Sequence, residues 1–123
     1  MGPAAAERML FGEGGVYSYT GTRDLRELLR RIDAGDTPAA LVLDAMLYQV
    51  RKACGAMAAV LEGRVDALLL TGGMAHSNRV TDPLAAALAW IAPVRVYPGE
   101  DELRALAEGA GRVVRGEEAA REY

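Results

Sequence analysis

Apolar residues recur at helical spacing through the middle of the chain, and this pattern predicts one long helix. Asp36 can cap its first turn, where Pro38 is tolerated, and Gly63 can stop it after about Leu61. Its apolar positions fall three and four residues apart and so share one face: they are Leu43, Leu47, Val50, Cys54, Met57 and Leu61. We expect Met46, Met57 and Cys54 to lie in the core.

Three shorter helices are predicted from the same signals. The first follows Thr22, a capping residue, and ends at Gly35, with Leu25, Leu28, Leu29 and Ile32 on its apolar face. The second covers about Ser77 to Ile91, with Asp82-Pro83 as either its true start or a local restart. The third begins at about Asp101, and its apolar residues are expected to face inward: Leu103, Leu106, Ala110, Val113 and Val114.

Short apolar runs between these helices predict strands. The run Val65–Leu70 is typical of a buried parallel strand, Val94–Tyr97 predicts a second, and Val16–Tyr19 is prone to form β structure. Strand, helix, strand and helix in this order predict an α/β fold with a short parallel sheet and long packed helices. Two strands are few for so many apolar helices, so we expect the chain to be part of a larger α/β domain.

Composition narrows the function classes. The 123 residues are expected to form one domain, with residues 1–15 as a poorly defined lead-in and 116–123 as a solvated tail. A net charge of -3 argues against a nucleic-acid partner and against a membrane surface. One cysteine excludes an internal disulfide, and the first residues show no secretion signal, so a cytoplasmic location is expected. His76 is the one histidine, which excludes a His-rich metal site but leaves magnesium on acidic ligands open.

The first candidate for chemistry is the loop from Thr71 to Asn78, between a predicted strand and a predicted helix. Gly72 and Gly73 would let a ligand approach the backbone, and the following helix offers N–H groups to an anion. Ligands in parallel sheets usually bind beyond the carboxyl ends of the strands. From spacing alone, a tight turn without a ligand explains the loop equally well.

Two further segments are weaker candidates. Glu100, Asp101 and Glu102 follow the second strand and can hold magnesium, although acidic residues also suit the first turn of a helix. The other is the segment Gly21–Arg26, in which Asp24 can accept a hydrogen bond from a ribose hydroxyl and an arginine, Arg23 or Arg26, can stack on a base or reach phosphate. Helix capping and surface pairing explain the same residues as well.

Together these segments closely resemble butyrate kinases. The resemblance covers about Arg8 to Tyr123 and rests on three main strings: Leu70-Thr71-Gly72-Gly73-Met74-Ala75-His76-Ser77, Tyr48-Gln49-Val50, and the run from Ile91 to Tyr97-Pro98-Gly99-Glu100-Asp101-Glu102. Gly14-Gly15, Gly21-Thr22 and Arg115-Gly116-Glu117-Glu118 extend it. The resemblance implies the actin and sugar-kinase superfamily, in which two ribonuclease-H-like domains enclose ATP, and hence a partial ribonuclease-H-like domain here.

The resemblance also implies roles for the candidate residues. The loop would form the adenosine pocket with Gly72, Gly73, Met74, Ala75 and His76, where His76 is a wall residue rather than a proton carrier. Asp24 and Arg26 would border the pocket from the opposite side. Asp101, with Glu100 or Glu102, would assist magnesium. The implied reaction converts a short-chain carboxylate and ATP into an acyl phosphate and ADP.

The resemblance further implies that the other half of the active site has no counterpart here. In the family, the catalytic arginine, the main acyl pocket and the first phosphate-binding loop belong to the N-terminal half. We therefore expect the chain to be a C-terminal fragment that is inactive by itself. The alternative is a non-catalytic module for nucleotide binding or dimerisation. Because acyl kinases of this family generally self-associate, the resemblance also implies a possible homo-oligomer.

Overall fold

The computed structural model of the chain describes residues 2–99 and 101–120, without the side chain of Glu102. Within these ranges the fold is mixed α/β, as predicted, with six helices and a two-stranded parallel sheet. In chain order the elements are α1 (Pro3–Arg8), a π-type turn (Met9–Glu13), α2 (Val16–Thr20), α3 (Leu25–Asp33), α4 (Thr37–Val60), β1 (Leu68–Gly72), a 3-10 turn (Gly73–His76), α5 (Asn78–Leu88), β2 (Val94–Pro98) and α6 (Glu102–Val114).

Aspartate side chains cap α3 and α4. Asp36 begins α4 as predicted, and its Oδ1 accepts a hydrogen bond of 2.9 Å from the backbone N–H of Ala39. The cap of α3 is Asp24, two residues later than the predicted Thr22. The Thr22 hydroxyl is buried, accepts from the Asp24 N–H at 3.1 Å and donates to Glu27 at 2.8 Å. Thr22 therefore holds the turn that leads into α3.

One hydrophobic core joins α3, α4, α5 and one face of the sheet. Leu28 of α3 and Leu88 of α5 are each 1% exposed and lie at its centre. The other buried members of this cluster are Ala39, Leu43, Leu47, Val80 and Leu84. Pro83 lies inside α5, so Asp82-Pro83 is neither the start nor a restart of that helix.

The predicted core face of α4 is confirmed for its first half only. Leu43 and Leu47 are buried, and Met46, Val50 and Cys54 are half-buried against the core. Met57 and Leu61 are exposed, so the prediction was wrong for these two residues. At this end of α4 the small side chain of Ala58 is the buried one.

The sheet is open on one face. β1 and β2 are parallel, with Leu68 opposite Val94 and Gly72 opposite Pro98. Leu68 and Leu70 pack on the core, but Leu69 between them is 60% exposed. The predicted parallel pair is confirmed, whereas the fully buried strand over Val65–Leu70 is wrong, because β1 begins at Leu68 and one face lacks a covering layer.

The segment Val16–Tyr19 is helical, not a strand. It lies in α2, which Gly21 ends in the left-handed conformation at φ 71°, with its N–H donating to the Tyr17 carbonyl at 2.8 Å. The Thr20 hydroxyl also bonds back to the Val16 carbonyl at 2.8 Å. These local bonds, together with the packing of Val16 against the core, outweigh the β preference of the side chains.

Helix α6 presents its apolar face to solvent. Leu103, Leu106 and Val114 are 85%, 70% and 86% exposed, so the prediction that they face inward was wrong. None of the described elements packs across this face. Residues 116–120 of the predicted tail are exposed, and residues 121–123 lie outside the described part of the chain. None of the helices in the described ranges has the length and apolar character needed to cross a bilayer.

Candidate functional site

The predicted loop connects the end of β1 to the start of α5. Gly72 has φ 83° and ψ -178°, a backbone conformation that essentially only glycine adopts. Its N–H donates to the Gly99 carbonyl at 3.1 Å, and the Gly99 N–H donates back to the Gly72 carbonyl at 3.2 Å. The carboxyl ends of both strands are therefore fixed against each other beside the loop.

The residues of the 3-10 turn after Gly72 differ in their exposure to solvent. Ala75 is buried and anchors the turn, while Gly73, Met74 and His76 are exposed. Nε2 of His76 lies 4.0 Å from the position that a Cβ on Gly99 would occupy. The imidazole thus stands next to the end of β2, where the acidic segment begins.

A cleft of about 1030 Å³ lies between this loop and the start of α3. Two groups of residues that are distant in the sequence line it: Arg23, Asp24, Leu25, Arg26 and Leu29 on one side, and Thr71, Gly72, Gly73, Met74, His76 and Ser77 on the other. The structure thus brings the predicted Asp24 and Arg26 to the same cleft as the predicted loop. Ala75 supports the loop from beneath.

Asp24 and Arg26 form an ion pair at the edge of the cleft. Nε of Arg26 donates to Oδ1 of Asp24 at 3.1 Å, and Nη2 donates to Oδ2 at 3.0 Å. The pKa of Asp24 is lowered, first by this side-chain hydrogen bonding and then by the Arg26 backbone N–H. The same pair raises the pKa of Arg26, whose side chain is 89% exposed. Asp24 is therefore a fixed anionic acceptor, and Arg26 is already engaged in holding it.

Arg23 also lines the cleft, although the resemblance singled out Asp24 and Arg26 and not Arg23 in this segment. Its guanidinium lies 4.6 Å from the centre of the Tyr17 ring, and its Nη2 donates to the Gly12 carbonyl at 2.8 Å. These partners precede the Gly21–Arg26 segment and come from the lead-in and α2. No local pattern around Arg23 indicates them, and so the sequence carried no signal for its position.

A second, smaller cavity of about 290 Å³ adjoins the cleft. The two share Arg23, Asp24, Leu25 and Met74 as walls. The remaining walls of the smaller cavity come from α2, α3, α4 and the segments near them: Gly12, Gly14, Val16, Tyr17, Thr22, Leu28 and Met46. Its lining is more strongly apolar than that of the outer cleft, whose walls carry a larger polar share.

The predicted metal ligands lie in and near the start of α6. Asp101 precedes the helix and is exposed, and its side chain makes no capping hydrogen bond. Glu100 and the side chain of Glu102 lie outside what the structure describes. In the described part of the chain, no three His, Cys, Asp or Glu residues group closely enough to hold a metal ion. A magnesium-assisting role for Asp101 stays a prediction.

Comparison with known protein families matches most of the chain to a family of kinases. The model of the family described as the acetokinase family matches residues 1–104. The matched range contains both walls of the cleft, the two strands and Asp101. The match is to the whole family and does not separate butyrate from other carboxylates.

Proposed function

The chain belongs to the acetokinase family, and we propose on that basis that it provides the nucleotide-binding side of an ATP-dependent carboxylate kinase. The reaction transfers the terminal phosphoryl group of ATP to a carboxylate and gives an acyl phosphate and ADP. The observation that carries the proposal is the cleft, which joins the strand-end loop to Asp24 and Arg26. Its volume of about 1030 Å³ is at the upper end of the range of about 300 to 1,000 Å³ usual for ligand sites.

Each wall of the cleft suits a different part of a nucleotide. The backbone at Gly72 and Gly73 has no Cβ, so a ligand can approach it closely. The Asp24 carboxylate is held in its charged form and can accept a hydrogen bond from a ribose hydroxyl. Met74 and Leu25 supply apolar contact, and His76 forms part of the wall. Ala75 supports the loop from beneath, a role that its burial favours.

In this scheme magnesium needs few ligands from the protein. Magnesium at phosphoryl-transfer sites is commonly held by one or two carboxylates, several waters and the substrate phosphates rather than by a protein cage. We propose Asp101, the exposed residue just before α6, as the carboxylate that takes this role. Bound with the nucleotide, magnesium would neutralise phosphate charge, and Asp101 would fix its position.

We propose butyrate as the carboxylate, on the resemblance of the strand-end strings to butyrate kinases. The test mixes the chain with the N-terminal half of a butyrate kinase and measures butyryl phosphate and acetyl phosphate by hydroxamate trapping. We expect the mixture to form butyryl phosphate faster than acetyl phosphate, and the chain alone to give no product above the enzyme-free control. Product formed by the chain alone would refute its proposed inactivity.

Nucleotide binding is tested directly by calorimetric titration with magnesium-ADP. We expect saturable binding that Gly73→Val abolishes, because the added side chain would occupy the loop side of the cleft. Gly109→Val is the matched control, since Gly109 lies in α6 on a shallow groove with Ala105 and Leu106. Equal binding by the original chain and Gly73→Val would place the nucleotide elsewhere.

A second candidate function is a non-catalytic nucleotide-binding or dimerising module. The exposed apolar face of α6 favours it, because such a face can serve association. The two functions differ in one result of the complementation experiment. Activity on addition of an N-terminal half supports the kinase, whereas nucleotide binding without any activity supports the module.

A further inference from the structure

We propose that Arg23 is a base-binding residue of the cleft, with its guanidinium stacked between the ring of Tyr17 and the base of the nucleotide. This inference rests on the proposed function, because it names a contact within the same nucleotide site. It assigns to Arg23 the base contact that the sequence pattern left open between the two arginines of the segment Gly21–Arg26.

The position of Arg23 between the two cavities supports this role. Its guanidinium carbon lies over the Tyr17 ring, 4.6 Å from the ring centre, so an aromatic group lies against one side of the guanidinium. Tyr17 lines the inner cavity, whereas Arg23 lines both the inner cavity and the outer cleft. We infer that the second face of the guanidinium is presented to the outer cleft. A planar cation of this kind can stack on a base there.

The contacts of Arg23 fix its orientation without neutralising its positive charge. They are the Gly12 carbonyl, which accepts from Nη2 at 2.8 Å, and the Tyr17 ring. Neither partner is a carboxylate. Arg31 is a useful contrast, since it donates to the Thr20 carbonyl at 2.7 Å and also pairs with Asp36 at 2.7 Å, as a residue that ties helices together does.

Arg26 is less suited to bind the base. Its guanidinium uses Nε and Nη2 to hold both oxygens of Asp24, and its side chain projects into solvent. Arg23 has two apolar neighbours at the shared boundary of the cavities, Leu25 and Met74. Apolar walls beside a planar cation favour an aromatic base over a phosphate group, which prefers a polar, hydrated setting.

The experiment measures binding of adenosine, ADP and pyrophosphate, without magnesium, to the original chain and to Arg23→Ala, Arg23→Lys and Arg104→Ala. If Arg23 stacks on the base, Arg23→Ala weakens adenosine and ADP binding by the same factor, roughly 3- to 30-fold, and leaves pyrophosphate binding unchanged. Arg23→Lys gives a similar loss, because lysine keeps the charge and a donor for the Gly12 carbonyl but has no plane. Arg104→Ala removes a surface pair with Glu108 in α6 and is expected to change none of these values.

Absorbance of the bound adenine provides a readout that a purely structural role would not change. Stacking lowers the adenine absorbance on binding, and this decrease should be smaller in both Arg23 variants at saturating adenosine. The proposal is overturned if both variants bind adenosine as tightly as the original chain. It is also overturned if the loss appears with ADP and pyrophosphate but not with adenosine and lysine restores it, which would identify a phosphate contact. If the original folded chain binds neither adenosine nor ADP, the proposed function itself fails.

Discussion

At single positions of the cleft, the backbone conformation matters as much as the side chain. Gly72 stands at φ 83° and ψ -178°, and its hydrogen bonds with Gly99 join the ends of the two strands. Asp24 combines two roles, since it caps α3 through the Arg26 N–H and borders the cleft. Residues such as these contribute both to the fold and to the candidate site. Substitutions must therefore be chosen so that an effect on stability can be told apart from an effect on ligand binding.

Gly72→Ala is expected to destabilise the protein by about 1 to 3 kcal/mol, because an alanine must adopt a backbone region that it strongly disfavours. Nothing lies within 4 Å of the position that a Cβ on this glycine would occupy, so the loss would come from backbone strain and not from a clash. Gly55→Ala is the control, also with open space around its Cβ, and should stabilise α4 by about 0.5 to 1 kcal/mol. Urea denaturation measures both, and equal effects would contradict the strain argument.

Asp36→Asn is expected to change how stability depends on pH. Hydrogen bonds from the Ala39 N–H and then from Arg31 lower the pKa of Asp36 below its ordinary 3.8. The contribution of its charge is therefore complete above the unfolded pKa and is lost as the pH falls through the lower folded pKa. Asparagine keeps a capping side chain without the charge. Denaturation from pH 7 down to pH 2 should show the two proteins converging below about pH 4. A constant difference across this range would refute the prediction.

At the scale of elements, the same amphipathic pattern has two outcomes. The apolar residues of α3 pack on the core, with Leu28 at 1% exposure, whereas those of α6 face solvent. A helix buries its apolar face only where another element lies against it. The pattern therefore predicts both helices correctly, but its prediction of a buried apolar face is correct for α3 and wrong for α6.

Leu28→Ala is expected to cost about 2 to 5 kcal/mol of unfolding free energy, because it removes a side chain from the centre of the core and leaves a cavity. Leu103→Ala makes the same chemical change on the exposed face of α6 and should stay within about 0.5 kcal/mol of the original chain. Urea denaturation of the two variants side by side measures the difference. Similar losses would mean that the α6 face is covered in solution.

At the scale of the whole molecule, the sheet and α6 are among the described elements that leave apolar surface uncovered. The outer face of the sheet exposes Leu69, and α6 exposes Leu103 and Leu106. Parallel sheets normally have layers on both faces, and a two-stranded sheet has little stability by itself. We propose that contact with further protein covers these surfaces, either within a larger domain or in an assembly.

We expect the purified chain to self-associate as its concentration rises, because these apolar surfaces are removed from water on contact. Light scattering across a dilution series measures the effect. The double change Leu103→Glu and Leu106→Glu should shift association to higher concentration, since it places charge on the α6 face. A monomer whose mass is independent of concentration would contradict this prediction.

Much of the fold and part of the site could be predicted because their causes are local. Asp36 as a cap, the helical spacing of Leu43 and Leu47, and the glycine pair after β1 are all recorded in neighbouring residues. The segment Val16–Tyr19 could not be predicted in this way, because its helix depends on the capping by Gly21 and on packing of Val16. The position of Arg23 depends on Gly12 and Tyr17, whose approach no spacing rule describes.

The sequence by itself determined helices α3 to α6, the parallel strands and the strand-end loop, because capping, periodicity and glycine placement act between neighbouring residues. Its motif strings, by their resemblance alone, pointed to the kinase family. The tertiary structure decided which faces are covered and which residues meet. It placed Asp24 across a cleft from Gly72, set Arg23 on Tyr17, and left α6 and one face of the sheet exposed. The physical reason is that burial and the shape of a cleft depend on which distant segments pack together, and a local pattern carries no record of that packing.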